Sequence, residues 1–224
     1  MLSINRPLIL ASASPRRQFL LKEIGLEFSI DPPHIDESFP SDMAIEKVPA
    51  YLAEKKAKAL LGKITNEIVI ASDTVVILNQ RILNKPSDRK EAIQMLSDLS
   101  GHTHTVITGV CLLSKNKTDC FDDRTNVTFK KLSSTEIEFY IDNFKPFDKA
   151  GAYGAQDCLP SGMNPCSPKE INFLHHINNT TLIQNTITES QTKNRIVIIE
   201  KIAGSYFTVM GLPIHKVYER LQLF

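Results

Sequence analysis

The stretch IVIASDTVVIL, residues 68–78, carries a strong strand signal. It is apolar and β-branched through most of its length, which predicts a buried strand. Asp73 interrupts the apolar run, with Ser72 and Thr74 beside it. A buried carboxylate is costly unless a cation, a metal or a strong donor lies next to it, so Asp73 is expected to face a polar cleft. A structural ion pair is the alternative interpretation.

Outward from this strand, strand and helix patterns follow one another along the chain, with no internal repeat and no clear linker. Strands are predicted at 8–11 and near 104–113 and 119–130. Helices are predicted from Pro15 to a stop at Gly25, over about 44–61, from the Ser87-Asp88 cap to Leu99, and from the capping box at Ser133 to about Asn143. In the second of these helices, Pro49 is either a kink or the true beginning. We therefore predict a single domain, 1–224.

Residues from about 157 to 195 differ in composition from the rest of the chain. They include SGMNPCSP, HHINNTT and QNTITESQTK, which are rich in Asn, Thr, Ser and Gln. Such polar, low-complexity composition is typical of surface loops. We therefore expect a polar surface insertion at about 157–195.

The overall composition is that of a globular protein, with 42% hydrophobic and 23% charged residues. The net charge of +1 argues against a protein that wraps nucleic acid by charge alone. No apolar run is long enough to span a bilayer, and the short LILA run is followed at once by arginines, which argues against a secretory signal. The cysteines form no C-x-x-C pair, which favours reduced thiols in the cytoplasm; they are Cys111, Cys120, Cys158 and Cys166.

The run Ser14-Pro15-Arg16-Arg17 places two adjacent arginines in the first turn of a predicted helix. This is an unfavourable end for cations, because the helix dipole is positive there. A bound polyphosphate would resolve the conflict, since helix N-termini and guanidinium groups both bind phosphate. A pair of solvated surface arginines is the alternative.

Other polar residues carry weaker signals. Lys56 and Lys85 would each pass for ordinary exposed lysines. Asp36-Glu37 lies in a proline-flanked loop, and a carboxylate near polyphosphate commonly holds Mg²⁺. Gln156 ends the glycine-bearing stretch DKAGAYGAQ, where the backbone can approach a ligand closely and the amide can pair with a base edge.

Taken together, these segments resemble the Maf family, nucleoside triphosphate pyrophosphatases historically called septum formation inhibitors. The matching segments, in the order of the family, are LILASASPRRQFLLKEIGLEF (8–28), LAEKKA (52–57), SDTVV (72–76), KPSDRKEAIQML (85–96), LSGHTHTVITGV (99–110), DKAGAYGAQ (148–156) and GSYFTVMGLP (204–213). The resemblance implies an α/β fold of the inosine triphosphatase-like, Maf/Ham1 type: a mixed sheet with flanking helices and two lobes around a central cleft.

The resemblance also implies an activity, which is hydrolysis between the α- and β-phosphates to give a nucleoside monophosphate and pyrophosphate. It implies a divalent cation, Mg²⁺ or Mn²⁺, as cofactor. By position, Asp73 matches the catalytic base that activates water, and Glu37 with Asp73 matches the metal ligands. The residues that match phosphate-binding positions are Ser14, Arg16, Arg17, Lys56 and Lys85.

Three residues, Arg16, Thr74 and Gln156, match the base-specificity pattern of the branch that acts on dTTP and UTP. Two alternatives stay open: the same chemistry on 7-methyl-GTP or another purine triphosphate, and a nucleotide-binding regulator of cell division with little turnover. Relatives in the family often form homodimers, and neither nucleic acid nor membrane is an expected partner.

Overall fold

The computed structural model describes residues 4–185 and 196–224, which fold around a seven-stranded sheet. The strands are β1 (Leu8–Leu10), β2 (Ser29–Ile30), β3 (Ile68–Leu78), β4 (Arg81–Leu83), β5 (Thr103–Leu113), β6 (Thr118–Phe129) and β7 (Ile199–Ala203). The helices described over their full length are α1 (Pro15–Glu23), α2 (Val48–Lys58), α3 (Arg89–Leu99), α4 (Ser134–Phe144), α5 (Pro168–His176), α6 (Tyr206–Met210) and α7 (Ile214–Leu221). The expected α/β fold with a mixed sheet and flanking helices is confirmed.

Strand β3 is the centre of the sheet, and one of its edges is interrupted. The strand order is β2-β1-β3-β5-β6-β7, with β4 also paired to β3. β5 covers one edge of β3 over 69–77, whereas the other edge pairs with β1 at 68–70 and with β4 at 76–78. Within the described chain, residues 71–75 therefore have no strand partner on that second edge. This gap is where the molecule opens a cleft.

The two side chains of β3 that are not fully buried, Asp73 and Thr74, lie at this gap. Successive side chains of a strand point to opposite faces of the sheet. Asp73 therefore shares a face with Ala71 and Val75, which pack against α2. Thr74 shares the other face with Ile70, which belongs to the larger core that includes residues of α1, α3, α4 and α6. The gap thus exposes one polar side chain from each face of the sheet.

Local sequence signals account for most element boundaries. Pro49 lies in the first turn of α2, so it marks the true beginning of that helix, and a turn of 3₁₀ helix at Ile45–Lys47 precedes it. The Ser133 capping box is present at the start of α4. Asn79 and Gln80 both have positive φ and join β3 to β4 by a two-residue hairpin turn.

The segment expected to be a surface insertion contributes to the core. Cys158, Leu159 and Leu182 are fully buried, and α5 buries Phe173 and Leu174 against the main core. This corrects the expectation of a surface excursion for the described part of the segment. The polar composition misled because its apolar residues recur at helical spacing and face inward, while the polar ones cover the outside. Residues 186–195 lie outside the described part of the chain.

Glu170, in the same segment, is a fully buried carboxylate that joins the starts of α5 and α6. Its Oε2 accepts hydrogen bonds from the backbone N–H groups of Ser167 at 2.8 Å and Tyr206 at 3.1 Å. Its Oε1 accepts from the Ser205 hydroxyl at 2.6 Å and from the Phe207 N–H at 3.0 Å. Both helix N-termini present unpaired N–H groups and a positive dipole end, which a carboxylate satisfies.

Replacing Glu170 by alanine is expected to lower the free energy of unfolding by at least about 3 kcal/mol, because several buried donors lose their acceptor together. Urea unfolding followed by circular dichroism measures the loss. Lys169→Ala, at an exposed neighbour on α5, is the matched control and is expected to change stability by less than about 0.5 kcal/mol. Equal stability of the two variants would contradict this role for Glu170.

Candidate active site

A cleft of about 750 Å³ opens at the interrupted edge of β3, within the size range of small-molecule sites. Its walls come from the turn after β1, the start of α1, the loop before α2, the end of β4 and the loops around 148–156 and 209–211. Of the side chains singled out from the sequence, all except Asp36 line it: Ser14, Arg16, Arg17, Glu37, Lys56, Asp73, Thr74, Lys85 and Gln156. Residues far apart in the chain thus meet in one cavity.

Lys56 lies between two carboxylates on the α2 side of the cleft. Its Nζ is 2.5 Å from Asp73 Oδ1 and 2.9 Å from Glu37 Oε1. Lys56 and Asp73 are each 13% exposed, whereas Glu37 is 59% exposed. Asp36 points elsewhere, since its carboxylate accepts hydrogen bonds from the backbone and hydroxyl of Ser38.

This arrangement fits a divalent cation. Two carboxylates already converge on one positive group, the Lys56 ammonium, which stands where a cation is stabilised. Mg²⁺ in proteins is commonly held by one or two carboxylates together with substrate phosphates. Among the described residues, no cluster of three or more His, Cys, Asp or Glu side chains is placed to hold a metal ion.

Gly109 brings α2 close enough for Lys56 to reach Asp73. It is the strand partner of Asp73 in β5. A Cβ atom at this position would lie 2.3 Å from the backbone N of Ala50 and the backbone C of Pro49. The first turn of α2 therefore rests directly on the glycine backbone, which no other residue type permits without displacing the helix.

Arg17 crosses the cleft floor from α1 and is held by three acceptors. Its Nε donates to the Gly211 carbonyl at 2.9 Å, Nη1 to Ser12 Oγ at 3.1 Å and Nη2 to Thr74 Oγ1 at 3.3 Å. Burial lowers the pKa of Arg17 to about 10, and the charge of Asp73 opposes that shift. The guanidinium therefore stays charged at neutral pH and is fixed in place before any ligand binds.

Ser14 occupies the N-cap position of α1, as predicted, but its side chain makes no capping hydrogen bond. Instead its backbone N–H donates to Ser12 Oγ at 3.2 Å. Pro15 has no N–H, and the N–H groups of Arg16 and Arg17 belong to the first turn, where no intrahelical acceptor exists. This helix start can therefore offer a hydroxyl and backbone donors to an anion.

Lys149 is a cleft residue that the sequence did not single out. Its side chain is only 12% exposed, and Nζ lies 2.7 Å from Asp148 Oδ1. The other oxygen of Asp148 lies 3.4 Å from Arg16 Nη1, so one exposed carboxylate joins two cations across the mouth of the cleft. Its position in the glycine-bearing stretch DKAGAYGAQ, which also contains Gln156, could have marked Lys149 as a cleft residue.

Gln156 lies against the bare backbone of Gly154. A Cβ atom on Gly154 would lie 3.2 Å from Gln156 Nε2, 3.1 Å from Lys149 Cε and 2.5 Å from Asp157 Oδ2. Because Gly154 has no side chain, the Gln156 amide, the Lys149 side chain and the Asp157 carboxylate can all lie close to it. Burial raises the pKa of Asp157 above its ordinary value. The roles in base recognition of Gln156, Arg16 and Thr74 stay predictions.

Residues 7–163 match the family model described as Maf-like protein. The chain belongs to the Maf family. A Flavobacterium psychrophilum relative named dTTP/UTP pyrophosphatase is 40% identical over 215 residues, which is 96% of this chain and 92% of that protein. A Thermosipho africanus relative with the same name is 42% identical over 96% of this chain and 91% of its own length.

Among solved structures, this Maf-family chain is similar to the Staphylococcus aureus Ham1 protein, with a TM-score of 0.39 and 15% identity over 55% of this chain and 72% of that one. In the part of the Maf chain that the structure describes, no helix is long and apolar enough to cross a membrane.

His104 supports the cleft wall of this Maf-family chain from behind. Its Nε2 lies 2.8 Å from the hydroxyl of Tyr153, which lines the cleft, and its ring packs edge-on against Phe129. The imidazole is 2% exposed, and burial lowers the pKa of His104 to about 3. The native site therefore holds the neutral form of the ring.

The burial of His104 is expected to make the stability of this chain decrease in acid. An unfolded histidine has a pKa of about 6.5, so below that pH the unfolded chain binds a proton that the native chain rejects. Stability from this residue is fully present above pH 6.5 and is lost as the pH falls towards 3, by at most about 1.4 kcal/mol per pH unit. The free energy of unfolding, measured with urea at pH 7 and at pH 5, should decrease less between these pH values for His104→Gln than for the wild type. His175→Gln, at an exposed site, is the control, and equal losses in all three proteins would contradict the prediction.

Proposed function

We propose that this chain hydrolyses dTTP and UTP between the α- and β-phosphates, releasing the nucleoside monophosphate and pyrophosphate. The observation that carries the proposal is the convergence of Asp73 and Glu37 on Lys56, with Arg17 fixed in the same cleft. The names of the Maf relatives support the same activity for this chain. The cleft volume of about 750 Å³ is large enough for a nucleotide.

Asp73 is the proposed general base. Phosphoryl transfer needs little covalent chemistry from a protein, but it needs an aligned water and neutralised phosphate charge. The Asp73 carboxylate accepts a proton from the water that attacks the α-phosphorus. Lys56, Arg17 and the start of α1 stabilise the charge on the phosphate chain, which leaves as pyrophosphate.

Glu37 and Asp73 are the proposed ligands of a divalent cation, Mg²⁺ or Mn²⁺. When bound, the cation would neutralise phosphate charge next to the reacting bond. Ser14, Arg16 and Lys85 are proposed to bind phosphate oxygens, and Lys149 joins this set because its nearly buried ammonium faces the same cavity. The homodimer and the cytoplasmic location stay predictions.

Gln156 is proposed to select the base. A pyrimidine with an O4 acceptor and an N3 donor complements both halves of one amide group. Cytosine reverses the pattern, with an amino donor in place of O4 and an acceptor at N3, so it pairs with the amide only after that group turns by 180°. A preference for UTP and dTTP over CTP therefore requires the Gln156 amide to be held in one orientation. Pyrophosphate release from UTP and dTTP is therefore expected to exceed release from CTP by about tenfold or more, the worth of one hydrogen-bonded recognition element.

The test is pyrophosphate release with Mg²⁺ and with Mn²⁺ from UTP, dTTP, CTP, GTP, 7-methyl-GTP and ITP. Gln156→Ala is expected to reduce the preference for UTP over CTP, whereas Gln94→Ala, at an exposed position on α3, should preserve it. Preferred release from a purine triphosphate would keep the chemistry and discard the base assignment. Tight nucleotide binding without release from any substrate would favour a regulator instead.

A further inference from the structure

Cys111 and Cys120 face each other across β5 and β6. They are direct partners in the antiparallel register, and their Sγ atoms lie 2.6 Å apart. Both are free thiols, as are the other two cysteines, Cys158 and Cys166. The spacing of nine residues gave no sign of this pairing in the sequence, because it arises from the hairpin register alone.

The two thiols differ in access to solvent. Cys111 is fully buried in a small cluster with Ala53 and Ala57 of α2, whereas Cys120 is exposed. Contact with Cys111 lowers the pKa of Cys120, while the same contact and burial raise the pKa of Cys111 above its ordinary range. The positive charge of Lys58 favours both thiolates, and Glu54 opposes it. The exposed thiol is thus the more nucleophilic one, and the buried thiol lies within reach behind it.

We propose that Cys111 and Cys120 are a redox-active pair that peroxides convert to a reversible intramolecular disulfide. The Cys120 thiolate attacks one oxygen of hydrogen peroxide, giving a sulfenic acid and hydroxide. The Cys111 sulfur then attacks the Cys120 sulfur and expels a second hydroxide, and the Cys111 proton and one from solvent convert the two hydroxides to water. Two thiols are oxidised, and one peroxide is reduced to two waters.

The backbone can accommodate the bond with little movement. Directly opposed residues on antiparallel strands have Cβ atoms about 4.5–5.5 Å apart, and a disulfide needs about 3.5–4.5 Å. A local approach of about 1 Å between the strands therefore suffices. β5 and β6 pair continuously from Thr103 to Leu113, so the register that brings the sulfurs together is fixed by many neighbouring pairs.

The two cysteines lie outside the cleft, beneath α2, the helix that forms one side of the cleft. Neither cysteine lines the cavity, so bound nucleotide does not block the reaction. Cys111 is two residues along β5 from Gly109, and it belongs to the same apolar cluster as Ala53 and Ala57, which lie on either side of Lys56 in α2. The proposed oxidation therefore occurs beneath α2, the helix that carries the Lys56 ammonium next to Asp73.

The test treats the reduced, full-length protein with equimolar hydrogen peroxide, blocks remaining thiols with N-ethylmaleimide and maps peptides by mass spectrometry. We expect loss of two hydrogen atoms, a Cys111–Cys120 cross-linked peptide within one monomer, and full reversal by dithiothreitol. Cys120→Ser should lose the cross-link, while Cys166→Ser should keep it. Labelling of Cys120 as a free thiol after treatment, over-oxidation of it without a cross-link, or a bond between two chains would each overturn the proposal. The readout is independent of nucleotide hydrolysis.

Discussion

Replacing Asp73 by asparagine is expected to lower kcat by about 10³-fold, because the amide cannot accept the proton of the attacking water. Triphosphate binding should persist, since Arg17, Lys56 and the start of α1 remain in the cleft. Asparagine has nearly the same shape as aspartate, so the strand β3 and its neighbours should keep their packing. Steady-state pyrophosphate release measures kcat, and isothermal titration with a non-hydrolysable triphosphate measures binding.

The matched control for this change is Asp122→Asn. Asp122 lies on β6 opposite Gly109, in line with Asp73 across the sheet, and its side chain is exposed outside the cleft. It should retain wild-type kcat. If Asp73→Asn turned over UTP at the rate of the control, Asp73 would have no place in the proton transfer.

Gly109→Ala is expected to cost about 3 kcal/mol of stability and most of the activity. The new methyl group would overlap backbone atoms of Pro49 and Ala50 at 2.3 Å, and backbone cannot rotate away as a side chain does. The first turn of α2 must then lift from β5, which carries Lys56 away from Asp73. Urea unfolding measures the first effect, and kcat under folding conditions measures the second.

Gly62→Ala provides the comparison for this substitution. No heavy atom lies within 4 Å of where its Cβ would be, and its φ is not in the left-handed region. It should match the wild type in both stability and turnover. An unperturbed Gly109→Ala protein would show that close approach of α2 is not what positions Lys56.

Much of the fold could be predicted from sequence because its signals are local. The run at 68–78 became β3 with the same bounds, and Asp88 caps α3 by accepting the Glu91 N–H at 2.8 Å. Caps, turns and apolar periodicity involve residues a few positions apart, so they can be recognised without knowledge of any tertiary contact. The surface interpretation failed for residues 157–185 because average composition conceals which face of α5 is buried.

The convergence of the site residues could be expected only from the resemblance to the Maf family. Nothing local indicates that Glu37 meets Lys56, or that Arg17 reaches the Gly211 carbonyl 194 residues away. The missed features are also long-range. Gly109 is important because Pro49 and Ala50, at the start of α2 and far from it in the chain, pack directly on its backbone. Lys149 is important because it shares the Asp148 carboxylate with Arg16.

Cleavage between the α- and β-phosphates, in the cleft around Asp73, can be read directly from the products. The most direct measurement is phosphorus NMR of the products formed from UTP with Mg²⁺, using wild-type protein and Asp73→Asn side by side. We expect UMP and pyrophosphate in equal amounts from the wild type and almost none from the variant. Formation of UDP and orthophosphate, or equal product from both proteins, would contradict it.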